Sequence, residues 1–134
     1  DISNSRILFP FYYNWDDELV KGYYKNYSTI SIIEEEFNNK YDDYLKGIHF
    51  TFALKGNDSI VKFTAYIQRD RFGKGWDSLS DNTLKSFMKK LCGEIAGKFE
   101  ECYIFGYIYD TDNNEELAFC EQTVEGDFVF GREE

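Results

Sequence analysis

An α+β fold is what this chain predicts: one antiparallel β-sheet of about five to six strands with two to three helices packed on it. Three observations lead there. Two alternating apolar runs flank a short Gly56-Asn57-Asp58 turn, one later segment carries an unbroken apolar stripe at helical spacing, and the last third reads strand, turn, strand, turn, strand. A chain of 134 residues that is 43% hydrophobic and holds a single Pro suits one domain, 1–134, with its own core and no linker.

The elements follow in order. Residues 6–14 are β-branched and aromatic enough for a strand, and Pro10 pushes it to a sheet edge. Trp15-Asp16-Asp17-Glu18 opens a short helix with acids in its first turn, and Leu19, Val20, Tyr23, Tyr24 and Tyr27 lie along one side of it. Ser31-x-x-Glu34 has the form of a capping box. Ile33, Phe37, Tyr41, Tyr44 and Leu45 then recur at helical spacing until Gly47 ends the helix. Its opposite face, with Glu34, Glu35, Asn38, Asn39, Asp42 and Asp43, reads as solvated.

Residues 48–55 place Ile48, Phe50, Phe52 and Leu54 on one face, and residues 60–69 do the same with Val61, Phe63, Ala65 and Ile67. Together they predict a β-hairpin. Residues 68–78 read as a basic, glycine-containing loop with Arg69, Arg71, Phe72, Lys74 and Trp76. Ser80 or Asp81 then caps a long helix whose Leu84, Phe87, Met88, Leu91, Ile95 and Phe99 form the stripe. Residues 102–109 predict a strand, 110–114 a polar turn and 116–122 a second strand. A Glu125-Gly126-Asp127 turn and a short strand over 128–130 complete the chain.

Charge is placed, not spread. The chain has 25 acids and 15 bases, a net of −10, yet residues 101–134 alone hold ten carboxylates against one base, Arg132, a net of −9. A localised negative field attracts a basic partner and repels nucleic acid, so no direct nucleic-acid binding is expected. The longest apolar run is far too short to span a bilayer, and residues 1–5 show no signal-peptide pattern, so no membrane association is expected. Three cysteines without CxxC spacing predict reduced thiols and a cytoplasmic location.

Motifs for chemistry are sparse. His49 is the one side chain whose ordinary pKa lies near neutral, and no nucleophile elbow accompanies it, so it reads as structural and no catalytic residue is assigned. Gly73-Lys74-Gly75 lacks phosphate-loop spacing. Asp110-x-Asp112-x-Asn114 with Glu121 at the twelfth position imitates an EF-hand loop. Glu115, however, stands where the tight turn needs Gly, and both flanks read as strands, so an acidic hairpin turn is expected instead of a metal site. No cofactor fingerprint is present.

What remains is a surface. Tyr103, Tyr107 and Tyr109 lead directly into Asp110, Asp112, Glu115 and Glu116, with Glu121 on the return strand. Aromatics supply desolvated contact and carboxylates steer a basic partner, so these eight residues form the candidate partner-binding set.

With this Tyr103–Glu121 segment and the acidic 34–43 face, the small, acidic, aromatic-rich chain resembles the immunity proteins of bacterial toxin systems, contact-dependent growth inhibition among them. The likeness is one of overall character, carried by no motif. It implies a non-enzymatic cytoplasmic inhibitor that binds a cognate toxin domain, often a basic nuclease, by protein–protein interaction. Two alternatives stand beside it. One is a nucleic-acid mimic of the anti-restriction or anti-CRISPR type, whose carboxylates would run in a regular row. The other is a small ligand-binding protein or enzyme with an enclosed pocket joining His49 to the 69–76 segment.

Overall fold

The computed structural model describes residues 27–45, 47–57 and 59–133. The strand expected over 6–14 and the helix opened by Trp15 lie outside the described residues. Among the described residues three helices and five strands follow one another: α1 (Tyr27–Lys40), β1 (Thr51–Gly56), β2 (Ile60–Ile67), α2 (Arg69–Ser78), α3 (Asp81–Ala96), β3 (Tyr103–Asp110), β4 (Glu115–Gln122) and β5 (Phe128–Arg132). The strands form one sheet in the order β1-β2-β3-β4-β5, so the expected α+β class, strand number and helix number hold.

The sheet is mixed, and not antiparallel throughout as the sequence suggested. β1–β2, β3–β4 and β4–β5 pair antiparallel, whereas β2 and β3 run parallel. Parallel neighbours need a crossover of a dozen or more residues, and α2 with α3 supplies it.

One face of the sheet carries the main core. Phe50, Phe52, Leu54, Val61, Phe63, Ala65 and Ile67 from the hairpin meet Ile33 and Phe37 of α1 and the Leu84–Ile95 stripe of α3, all buried. Phe37 packs edge-on against Phe52 with ring centroids 5.6 Å apart. Ser80 caps α3, its hydroxyl accepting the Thr83 N–H at 3.1 Å. Asn57 shapes the β1–β2 turn, its Oδ1 accepting the Ser59 and Ile60 N–H groups at 2.8 and 2.9 Å. None of the three cysteines is in a disulfide; Cys92 and Cys120 are buried between α3 and β4, and burial beside Cys120 pushes the Cys92 thiol well above its ordinary value.

The 68–78 segment is a helix where a loop was expected. Glycine costs a helix about 1 kcal/mol relative to alanine, so two glycines in ten residues argue against one. Packing overrides that cost at Gly75: a Cβ there would lie 2.5 Å from the Gly47 carbonyl oxygen, so only glycine lets α2 approach the 47–48 backbone. Trp76, one residue on, is then buried.

The capping-box reading of Ser31 is also corrected, because α1 begins at Tyr27 and Ser31 is an exposed position inside it. Glu34 and Asn38, expected on a solvated face, instead reach the edge strand β1. Asn38 Oδ1 accepts the Phe52 N–H at 2.7 Å while its Nδ2 donates to the Phe52 carbonyl at 3.0 Å. Glu34 Oε2 accepts the Leu54 N–H at 2.8 Å. Two side chains thus do for β1 what a sixth strand would do.

Candidate functional site

The eight residues singled out by sequence separate into distinct environments. Alternation along β3 puts Tyr103, Tyr107 and Tyr109 on the sheet face opposite the main core, in a second cluster with Ile60, Phe105, Phe119 and Val129. Tyr107 is only 5% exposed, while Tyr103 and Tyr109 are half-buried. The Tyr107 hydroxyl donates to Glu121 Oε2, and Lys62 Nζ lies 5.6 Å from the Tyr107 ring centroid. Glu121 itself is 3% exposed. Tyr103 donates to the Val124 carbonyl at 3.5 Å, tying β3 to the β4–β5 turn.

Asp110 is fully buried at the end of β3. Its Oδ1 accepts the Asp112 N–H at 3.1 Å and its Oδ2 accepts from Asn113 Nδ2 at 3.0 Å, so this carboxylate builds the β3–β4 turn. Asn114 completes that turn at φ 52°, a left-handed conformation that asparagine tolerates better than most residues. Asp112 is exposed; Glu115 and Glu116 are half-buried.

The EF-hand imitation dissolves in this geometry. Glu121 pairs with Phe105, five residues back along β3 from Asp110, which puts roughly 17 Å of strand between the two positions. Among the described residues no cluster of three or more potential metal ligands occurs.

A second set of exposed carboxylates, which sequence reasoning treated only as a turn, lies at the β4–β5 connection. Glu125 and Asp127 flank Gly126 (φ 94°), beside Val124, whose side chain is exposed. The length of β4 separates this turn from the Asp112 turn by about 25 Å. The acidity is therefore presented at both ends of the β4 strand and not as one patch.

The single base of the C-terminal third is turned into the fold. Arg132 Nη2 donates to the Trp76 carbonyl at 2.6 Å, and Nη1 donates to the Leu79 carbonyl and to Asp81 Oδ1. Its guanidinium lies 4.5 Å from the Trp76 ring centroid. A cation at the C-terminal end of α2 adds a second donor to the Trp76 carbonyl, which already accepts the Leu79 N–H at 3.2 Å, and complements the helix dipole. Among the described residues no cation pairs with Asp112, Glu115, Glu125 or Asp127.

Among the described residues, His49 and Trp76 line different clefts. His49 borders a cleft of about 520 Å³ with Thr51, Tyr66, Gln68 and Thr111, its side chain is 56% exposed, and Asp42 Oδ2 lies 3.7 Å from its Nδ1. Trp76 lines a different groove, between α2, α3 and β5. No family model, curated protein or solved structure matches the chain. Among the described residues no helix is long and apolar enough to cross a membrane.

Proposed function

We propose that this chain is a protein inhibitor of the toxin-immunity type, which captures a basic toxin domain in the cytoplasm and blocks its substrate path without chemistry of its own. The observation that carries the reading is the inward commitment of Arg132, with Asp112, Glu115, Glu125 and Asp127 meeting no paired cation among the described residues. Asp112, Glu115, Glu125 and Asp127 then act as the steering charges. Tyr107, Asp110 and Glu121 support them from inside the fold. Carboxylates held outward from a rigid hairpin occupy positions that substrate phosphates take on a basic nuclease, and the long-range field speeds the encounter.

The test couples growth to binding. Co-expression with a toxin domain encoded beside this chain should rescue growth. Reversal of Asp112, Glu115, Glu125 and Asp127 to Lys should abolish rescue and cut the association rate by about 10- to 100-fold at low salt. Rescue that survives the four reversals, with salt dependence unchanged, would remove the acidic ends from the interface. Asp110 is left out of the variant because its carboxylate closes the turn.

A further inference from the structure

We infer that the outer edge of β5, which no described strand covers, is a strand-addition site, and that its occupant is an extended segment of the basic partner with cationic side chains at alternate positions. The inference rests on the inhibitor reading above for the partner's charge, and on the backbone for its mode of binding.

The phase of the β4–β5 ladder shows which groups point outward. Thr123 N–H donates to the Asp127 carbonyl at 2.7 Å and Glu133 N–H to the Leu117 carbonyl at 2.9 Å. Bonded pairs alternate in an antiparallel ladder, so Val129–Glu121 and Gly131–Phe119 carry the bonds between them. The N–H and C=O groups of Phe128, Phe130 and Arg132 therefore face away from β4. No hydrogen bond among the described residues reaches the Phe128 or Phe130 backbone from that side. An edge of this kind is a template for another strand.

The surroundings select the occupant. Beside the edge runs a groove of about 740 Å³, with apolar Trp76, Leu79 and Phe130 and acidic Asp77, Asp81 and Glu133 among its lining residues. Arg132 and Asp81 pair with each other, so Asp77 and Glu133 outnumber Lys85 among the other charged residues of the described lining. Glu125 and Asp127 stand at the other end of the strand. A second copy fits poorly, since antiparallel self-pairing centred on Phe130, the register with the longest overlap, sets Asp127 opposite Glu133 of the second copy. Like charges directly opposite one another oppose pairing. A strand carrying Lys or Arg at every second residue sends those side chains to one face, where the groove carboxylates receive them.

The probe is an eight-residue peptide alternating Lys and Val, compared with the same peptide N-methylated on alternate backbone nitrogens, which keeps the charge and removes the bonding edge. The full chain should bind the first peptide with amide shifts at Phe128, Phe130 and Arg132, and bind the methylated one at least 10-fold more weakly. Phe130→Pro, checked for retained fold by circular dichroism, should give the same loss, because it deletes an outward N–H and spares the β4 ladder. Equal, salt-sensitive binding of both peptides would overturn strand addition while leaving the basic-partner reading intact. Absence of any salt-sensitive binding would overturn both. A dimer in sedimentation that Phe130→Pro dissociates would give the edge to a second copy and overturn the inference.

Discussion

The two edges of the sheet are treated in opposite ways. At β1, Asn38 and Glu34 of α1 occupy the outward N–H groups of Phe52 and Leu54 and the Phe52 carbonyl. At β5, the corresponding groups of Phe128 and Phe130 meet no such side chain among the described residues, and carboxylates stand at both ends of the strand. Proteins guard strand edges because an open one recruits other chains. If charge alone guards the β5 edge, as the strand-addition proposal holds, like-charged copies should be repelled there and basic segments should not.

The largest expected effect comes from opening the closed edge. The double variant Glu34→Ala, Asn38→Ala removes three bonds to β1, one of them to a carboxylate, and should cost about 2–4 kcal/mol. Urea denaturation reads that loss, and sedimentation should show more association than in the native chain. Wild-type stability in the double variant would mean that water serves the β1 edge as well as Asn38 does.

Next in size is Arg132→Ala. Loss of charge-assisted bonds to the Trp76 and Leu79 carbonyls should cost about 1.5–3 kcal/mol, and removal of the inward cation should make the β5 side more negative. Arg132→Lys should restore little of the stability, because an ammonium cannot reach both carbonyls in the guanidinium's planar fork.

Alkaline pH should act on the β1 side before the β5 side. Burial and the Glu94 hydrogen bond raise the Tyr41 hydroxyl above its ordinary 10.0, and Lys40, which shares Glu94, is raised as well. Each group holds its proton in the folded state at a pH where the unfolded chain releases it. Stability from these groups is therefore complete below pH 10 and falls as pH climbs past their unfolded values. The amide protection factor of Phe52 should decline ahead of that of Val129, and Tyr41→Phe should flatten the tyrosine part of that decline.

The smallest effect on stability, and the sharpest on the comparison, belongs to Asp127→Lys. An exposed turn residue should change stability by no more than about 0.5 kcal/mol. The substitution turns the Asp127–Glu133 repulsion between copies into attraction, so a dimer should appear in sedimentation equilibrium. A chain that stays monomeric would show that charge is not what keeps copies apart at β5.

Local periodicity made much of this fold legible. The β1–β2 hairpin, the α3 stripe with its Ser80 cap and the three C-terminal strands are patterns completed within a few residues, and the structure has each of them. What sequence could not show depends on distant partners. Glu34 and Asn38 look solvated because their acceptor and donor partners lie 14 to 20 residues away. α2 looks like a loop because the reason for Gly75 is the Gly47 backbone, and β2 looks antiparallel to β3 because pairing direction is set by the crossover. For the candidate site, the acidity of the hairpin was visible but its division was not. A β-bulge shifts register between Ile108 and Tyr109, and only the folded hairpin reveals that Asp110 and Glu121 turn inward while Asp112 stays out.

The sequestered sulfurs provide a built-in clock for breathing. Cys92 Sγ lies 3.8 Å from the Cys120 carbonyl oxygen, beneath α3, whereas Cys102 is partly open to solvent. A thiol reagent should modify Cys102 promptly and reach the other pair only when α3 lifts from β4. The lag between the two reactions measures how often that helix parts from the sheet, with no label added to the chain.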